Sequence, residues 1–150
     1  MPVSDADLSV EAADDGPRAL AEALSAEHAA VYGYEFAGGA GGGLDYRTRA
    51  GEAALVHKAL RDELHGLAVA SGVRLKPAPA WYPLPEERGD EALDAFLLGL
   101  EEDTARAYAW LSSARDTDLR TTGARNLQGA AVRVLELGGD PGALPGFDAA

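Results

Sequence analysis

At 150 residues the chain is long enough for one well-filled domain and too short for two. Acidic residues number 25 against 13 basic ones, a net charge of −12, which opposes binding to DNA, RNA or an anionic membrane. With 0 Cys, a disulfide framework and a thiolate metal site are both excluded.

Residues 1–16, MPVSDADLSVEAADDG, carry Asp5, Asp7, Glu11, Asp14 and Asp15 with few bulky apolar side chains, which predicts a disordered acidic lead-in. No positive charge precedes an apolar run there, so no signal peptide is read. No stretch approaches the roughly 18 apolar residues of a membrane span, and a cytoplasmic protein is expected.

The first helix is predicted from Pro17 to about Ala37, with Asp14 or Asp15 as its cap. The glycine run Gly38 to Gly43 should end it, because glycine makes continued helix costly in backbone entropy. That run is read as a turn and not as a phosphate loop, since no strand precedes it and no Gly-Lys-Ser/Thr follows. At about 100° per residue, Leu20, Leu24, Glu27, Val31 and Tyr34 fall on one line. A carboxylate in that greasy stripe needs a compensating partner, because burying an ionised acid alone costs several kcal/mol.

The second helix is predicted from Asp45 to Ser71, rich in Ala, Leu, Glu and Arg, with Gly72 after it. Two core stripes compete within it: Val56, Leu60 and Leu67, or Leu55, Ala59, Asp62, Gly66 and Val69. Only the second turns Asp62 and His65 inward. The connection that follows holds Pro77, Pro79, Pro83 and Pro85 and runs for about eighteen residues, where antiparallel neighbours need only about two to eight. Extended at about 3.1 Å per residue, it can cross the full length of a bundle and leave its flanking helices parallel, with Trp81 and Tyr82 as anchors.

A third helix is predicted from Asp90 to Ala114, with Leu93, Phe96, Leu97, Leu100, Thr104, Ala107 and Leu111 as its stripe. The fourth covers Thr117 to Leu137, with Leu127, Ala130, Val134 and Leu137 at helical spacing before Gly138 and Gly139. No segment alternates like a strand. The expected class is all-α, a four-helix bundle over residues 17–138, with a tail over 139–150.

Two antiparallel hairpins joined by one long Pro-rich crossover resemble ferritin-like bundles. Glu27 on the first helix, and Asp62 with His65 at i, i+3 on the second, are similar to the first half of a di-iron ligand set. In the second half Glu101 or Glu102 on the third helix and Gln128 on the fourth are the weaker counterparts, Glu102 being taken with Gln128, and the fourth helix has no Glu-x-x-His. The segments ALAEALSAEHAAVYGYEF, HKALRD, APAWYPLP, LEEDTARAYAWL and the terminal LPGF resemble an actinobacterial ferritin-like domain family of unknown function. That resemblance implies a bundle and supplies no substrate.

Two readings of Glu27 follow. In one it belongs to a buried polar network with Tyr34, His57 and Arg61, no cofactor is bound, and the bundle acts through self-association, as a dimer, or through a protein partner. In the other, Glu27, Asp62 and His65 hold iron or another divalent metal. No catalytic residue is assigned, and no nucleophilic triad is present.

Overall fold

The computed structural model describes residues 14–147. Residues 1–13 of the acidic lead-in and 148–150 of the tail lie outside the described residues. Four helices follow in order: α1 Gly16–Ala40, α2 Leu44–Ala70, α3 Asp90–Leu111 and α4 Thr117–Glu136. Among the described residues there is no strand, and no helix is long and apolar enough to cross a membrane.

Helix α1 begins where Pro17 needs no amide partner, and the Asp14 carboxylate accepts the Gly16 N–H at 3.0 Å. Its stripe of Leu20, Leu24, Glu27, Val31 and Tyr34 is buried throughout. The helix runs through Gly38 and Gly39 to Ala40, beyond the stop expected from the glycines. Packing explains the extension. Ala37 is fully buried, and with Ala40 it joins a cluster containing Tyr46, Ala50 and Leu97, which offsets a propensity cost of about 1 kcal/mol per glycine. The turn is therefore only 41–43, closed by the Gly41 N–H to the Ala37 carbonyl at 2.8 Å.

Helix α2 buries neither predicted stripe. Its inner line is Tyr46, Ala50, Ala54, His57, Leu64 and Ala68, while Leu55 and Val69 are 64% and 66% exposed. Ala50, Ala54 and Ala68 on that line let α2 approach α1 closely between the larger Tyr46, His57 and Leu64.

Helices α3 and α4 start and stop on local signals. Asp116 caps α4 by accepting the Leu119 N–H at 2.9 Å. Helix α3 ends at Leu111, short of the expected Ala114, and the amides of Ser112, Ser113 and Ala114 close its end on the carbonyls of Tyr108, Trp110 and Leu111.

Side-chain pairs give the helix directions. Tyr46 to Asp94 and His57 to Glu101 advance together, so α2 and α3 run parallel. Tyr34 to Glu101 and Tyr108 to Glu27 advance oppositely, so α1 and α3 are antiparallel. Between α2 and α3, residues 71–89 carry no helix and lie against α1. Tyr82 meets Tyr32 with ring centroids 5.2 Å apart, and Arg88 lies over Phe36. Trp81, expected as an anchor, is 69% exposed and does not serve as one. The tail folds back on α3 at Gly146, whose φ of 80° and proximity to the Ala105 carbonyl exclude a side chain.

Gly123 marks the closest approach of α4 to the end of α3. A Cβ there would lie 2.5 Å from the Ser112 nitrogen and 2.7 Å from the Leu111 carbonyl carbon. Backbone cannot step aside as a side chain can. The Gly123→Ala variant is expected to lose about 2 kcal/mol, or roughly 4–8 °C in Tm, despite alanine's better helix propensity. Thermal melts monitored by circular dichroism check this; an unchanged or raised Tm overturns it.

Candidate functional site

Seven residues are nearly two helical turns, so Glu27 and Tyr34 share one face of α1, and Glu101 and Tyr108 share one face of α3. Because the two helices are antiparallel, the pairs cross. The Tyr34 hydroxyl donates to Glu101 Oε1 at 2.7 Å, and the Tyr108 hydroxyl donates to Glu27 Oε1 at 2.5 Å. Between the carboxylates lies His57 of α2, with Nδ1 2.5 Å from Glu27 Oε2 and Nε2 2.7 Å from Glu101 Oε1. Its ring stacks on Tyr34 at 5.1 Å between centroids. The Thr104 hydroxyl donates to the Glu101 backbone carbonyl at 2.8 Å and reaches Glu101 Oε2 at 3.2 Å. From α4, Arg133 Nε lies 3.0 Å from both Glu101 oxygens.

All four helices thus meet on one polar centre. Glu27, His57, Glu101 and Thr104 are fully buried. Both partners of His57 are carboxylates, which only accept, so the imidazole must donate from both nitrogens and carry a proton. Burial alone pulls His57 down, but hydrogen bonds to Glu101 and Glu27 outweigh it and push its pKa up to about 9. Burial likewise raises Glu101, yet the hydrogen bond and charge of His57, with Arg133 and Tyr34, hold it below the usual carboxylate range. Desolvation and the adjacent carboxylates push Tyr34 and Tyr108 well above the ordinary tyrosine range, so both remain donors. Two anions and two cations leave the cluster electrically neutral, the condition under which buried charge is tolerated.

The other sequence-derived candidates lie elsewhere. Asp62 and His65 are exposed on the outer face of α2, and Asp62 pairs with Arg61 at 2.9 Å. Arg61 is therefore outside the network containing Glu27, Tyr34 and His57. Glu102 and Gln128 are exposed on α3 and α4. The proposed ligand set Glu27, Asp62 and His65 is not brought together, because the inner line of α2 passes through His57, and Asp62 and His65 lie off it. Among the described residues no group of three or more His, Cys, Asp or Glu is arranged to hold a metal ion.

The buried centre does not fit a divalent metal either. Both His57 nitrogens are turned onto carboxylates, and the Arg133 guanidinium stands where a second cation would have to approach Glu101. Of the centre's other members, the sequence offered Glu101 only as an alternative to Glu102 on the third helix, and did not offer Thr104, Tyr108 and Arg133 as site residues. One signal could have found two of them: Glu-x₆-Tyr occurs on the first predicted helix and again on the third.

An open groove of about 790 Å³ separates α2 from α4. Tyr34 and Arg133 reach it from the buried centre, while Ala53, Val56, Leu97 and Val132 supply apolar walls.

The fold is similar to that of a conserved hypothetical protein, rv2844, from Mycobacterium tuberculosis. The two chains are 26% identical, the match covers 82% of this chain and 94% of that one, and the TM-score is 0.75. No curated protein matches in sequence. The family described as a domain of unknown function, DUF4439, matches residues 19–149, a span that takes in every helix-borne residue of the buried centre, and the chain belongs to that family.

Proposed function

We propose that this is a ferritin-like four-helix bundle that works by association, first with a second copy of itself, and not by catalysis. In this reading the α1/α2 and α3/α4 hairpins are joined by residues 71–89 as the long crossover. The parallel course of α2 and α3 supports that connectivity. The buried centre needs no cofactor, because protein donors meet both carboxylates, and its role is to lock the four helices together.

The observation that carries the association reading is the apolar surface on α2 and α4. Leu55 and Val56 on α2, with Val132 and Leu135 on α4, are between 46% and 64% exposed, and Val56 and Val132 line the same groove. A second copy covering that face would remove these side chains from water, each worth about 1.5–3 kcal/mol when fully buried. Sedimentation velocity at micromolar concentration should show a dimer for the native chain and a folded monomer for Val56→Lys/Val132→Lys. A native chain that sediments only as a monomer, or a variant that remains dimeric, overturns the proposal.

A further inference from the structure

A second cavity, on the other side of α1, has a different chemistry. In a chain of net charge −12 most cations are engaged: Lys58 with Glu35, Arg61 with Asp62, Arg125 with Glu63, and Arg133 with Glu101. Arg74 and Lys76 hold no carboxylate, carbonyl or aromatic ring among the described residues. Both line one cavity of about 460 Å³ between α1 and the start of the 71–89 connection, together with Arg18 and His28. Among the described residues the one carboxylate on its wall is Glu22. Arg18 is loosely neutralised by Asp15 at 3.8 Å and its guanidinium lies 5.6 Å from the Trp110 ring centroid.

Apart from Ser25, the rest of the wall is apolar. Leu24, Leu75, Pro77, Pro79 and Tyr82 form most of it, and Pro77 restricts the backbone of Lys76 just before it, so less freedom is lost there on binding. The Tyr82 hydroxyl is buried and has no hydrogen-bond partner among the described residues. His28 is held below its ordinary pKa by burial, then by Arg61 and His65, so at neutral pH it offers a hydrogen bond without a charge. Three cations against one acid suit a divalent anion better than a monovalent one, and arginine's planar fork matches phosphate geometry. The volume falls within the range of small-molecule pockets.

We propose that this cavity binds a small organic phosphate, with the phosphate on Arg74, Lys76 and Arg18 and an apolar or aromatic body against Leu75, Pro77, Pro79 and the Tyr82 ring. The site is independent of the association face, which lies on α2 and α4. Phenyl phosphate, inorganic phosphate and benzoate serve as probes, titrated into the full chain by calorimetry, with ¹H–¹⁵N spectra to locate them. Phenyl phosphate should bind saturably and tighter than the other two, shifting amides within residues 18–28 and 73–82. Arg74→Glu/Lys76→Glu, both exposed positions, should weaken it by about tenfold or more, since the charge-assisted hydrogen bonds to the phosphate are lost and two anions stand in their place. Arg125→Glu, outside the cavity, should change it less than twofold. Absence of saturable binding, equal binding of benzoate, shifts confined elsewhere, or an unaltered Arg74→Glu/Lys76→Glu affinity would each overturn the proposal.

Discussion

The His57→Ala variant is expected to lose about 4 kcal/mol of stability and roughly 10 °C or more in Tm. Among the described residues His57 alone bridges Glu27 and Glu101, at 2.5 and 2.7 Å, and all three side chains are fully buried. Removing the imidazolium strands two carboxylates in the core, and only Glu101 retains a cation, Arg133 at 3.0 Å. Glu27 is left with the Tyr108 hydroxyl alone. The alanine also opens a cavity among Tyr34, Glu27 and Glu101, adding to the cost. Coupling separates loss of the bridge from simple loss of volume. In the double variant Glu27→Gln/His57→Ala the stranded charge on α1 is gone, so the two effects should be less than additive by about 1–3 kcal/mol. Urea unfolding of the native chain, both single variants and the double variant measures this. A His57→Ala cost below about 1 kcal/mol, or additivity within about 0.5 kcal/mol, would remove the charge-bridge account.

The native chain should lose on the order of 3 kcal/mol as pH rises from about 6.5 to about 9, at close to 1.4 kcal/mol per pH unit. The folded pKa of His57 is raised to about 9 from 6.5. Its contribution is therefore complete below the unfolded value and disappears as pH climbs through the folded one. Tyr34 and Tyr108 are also raised in the folded state, so the loss continues, with the same sign, above pH 10. On the acid side the direction reverses. Glu101 is lowered from 4.5, so its contribution is present above that value and lost as pH falls through the lower one. Maximum stability is expected between about pH 5 and 6.5. Unfolding free energies measured across pH 5 to 9 for the native chain and His57→Ala test the assignment directly. The variant lacks the titrating group, and its profile should be nearly flat from 6.5 to 9. Parallel profiles would assign the slope to other residues.

The crossing of two Glu-x₆-Tyr pairs explains why the centre joins rather than merely fills the bundle. Each tyrosine satisfies the carboxylate of the opposite helix, so neither α1 nor α3 can complete its own polar face. His57 then ties α2 to both carboxylates, and Arg133 brings in α4. Such a network specifies one arrangement of helices, because sliding α1 against α3 by a single turn would break both buried tyrosine–carboxylate hydrogen bonds at once.

By itself the sequence determined the number, order and approximate bounds of the helices, since proline, glycine and propensity act locally. It also determined that Glu27 lies on the inner stripe of α1, because leucines and a tyrosine mark that stripe by their spacing. Only the tertiary structure decided which face of α2 is inside. Half of its buried line is alanine, Ala50, Ala54 and Ala68, and such small residues give little hydrophobic signal although they permit close approach. The end of α1 was likewise decided by packing of Ala37 and Ala40, which overrides the glycine run. Among Arg61, His57 and a tyrosine hydroxyl as partners for Glu27, the choice of His57 and Tyr108 depended on how four helices meet. Periodicity places a side chain around its own helix axis, but the register and distance between helices determine what it touches.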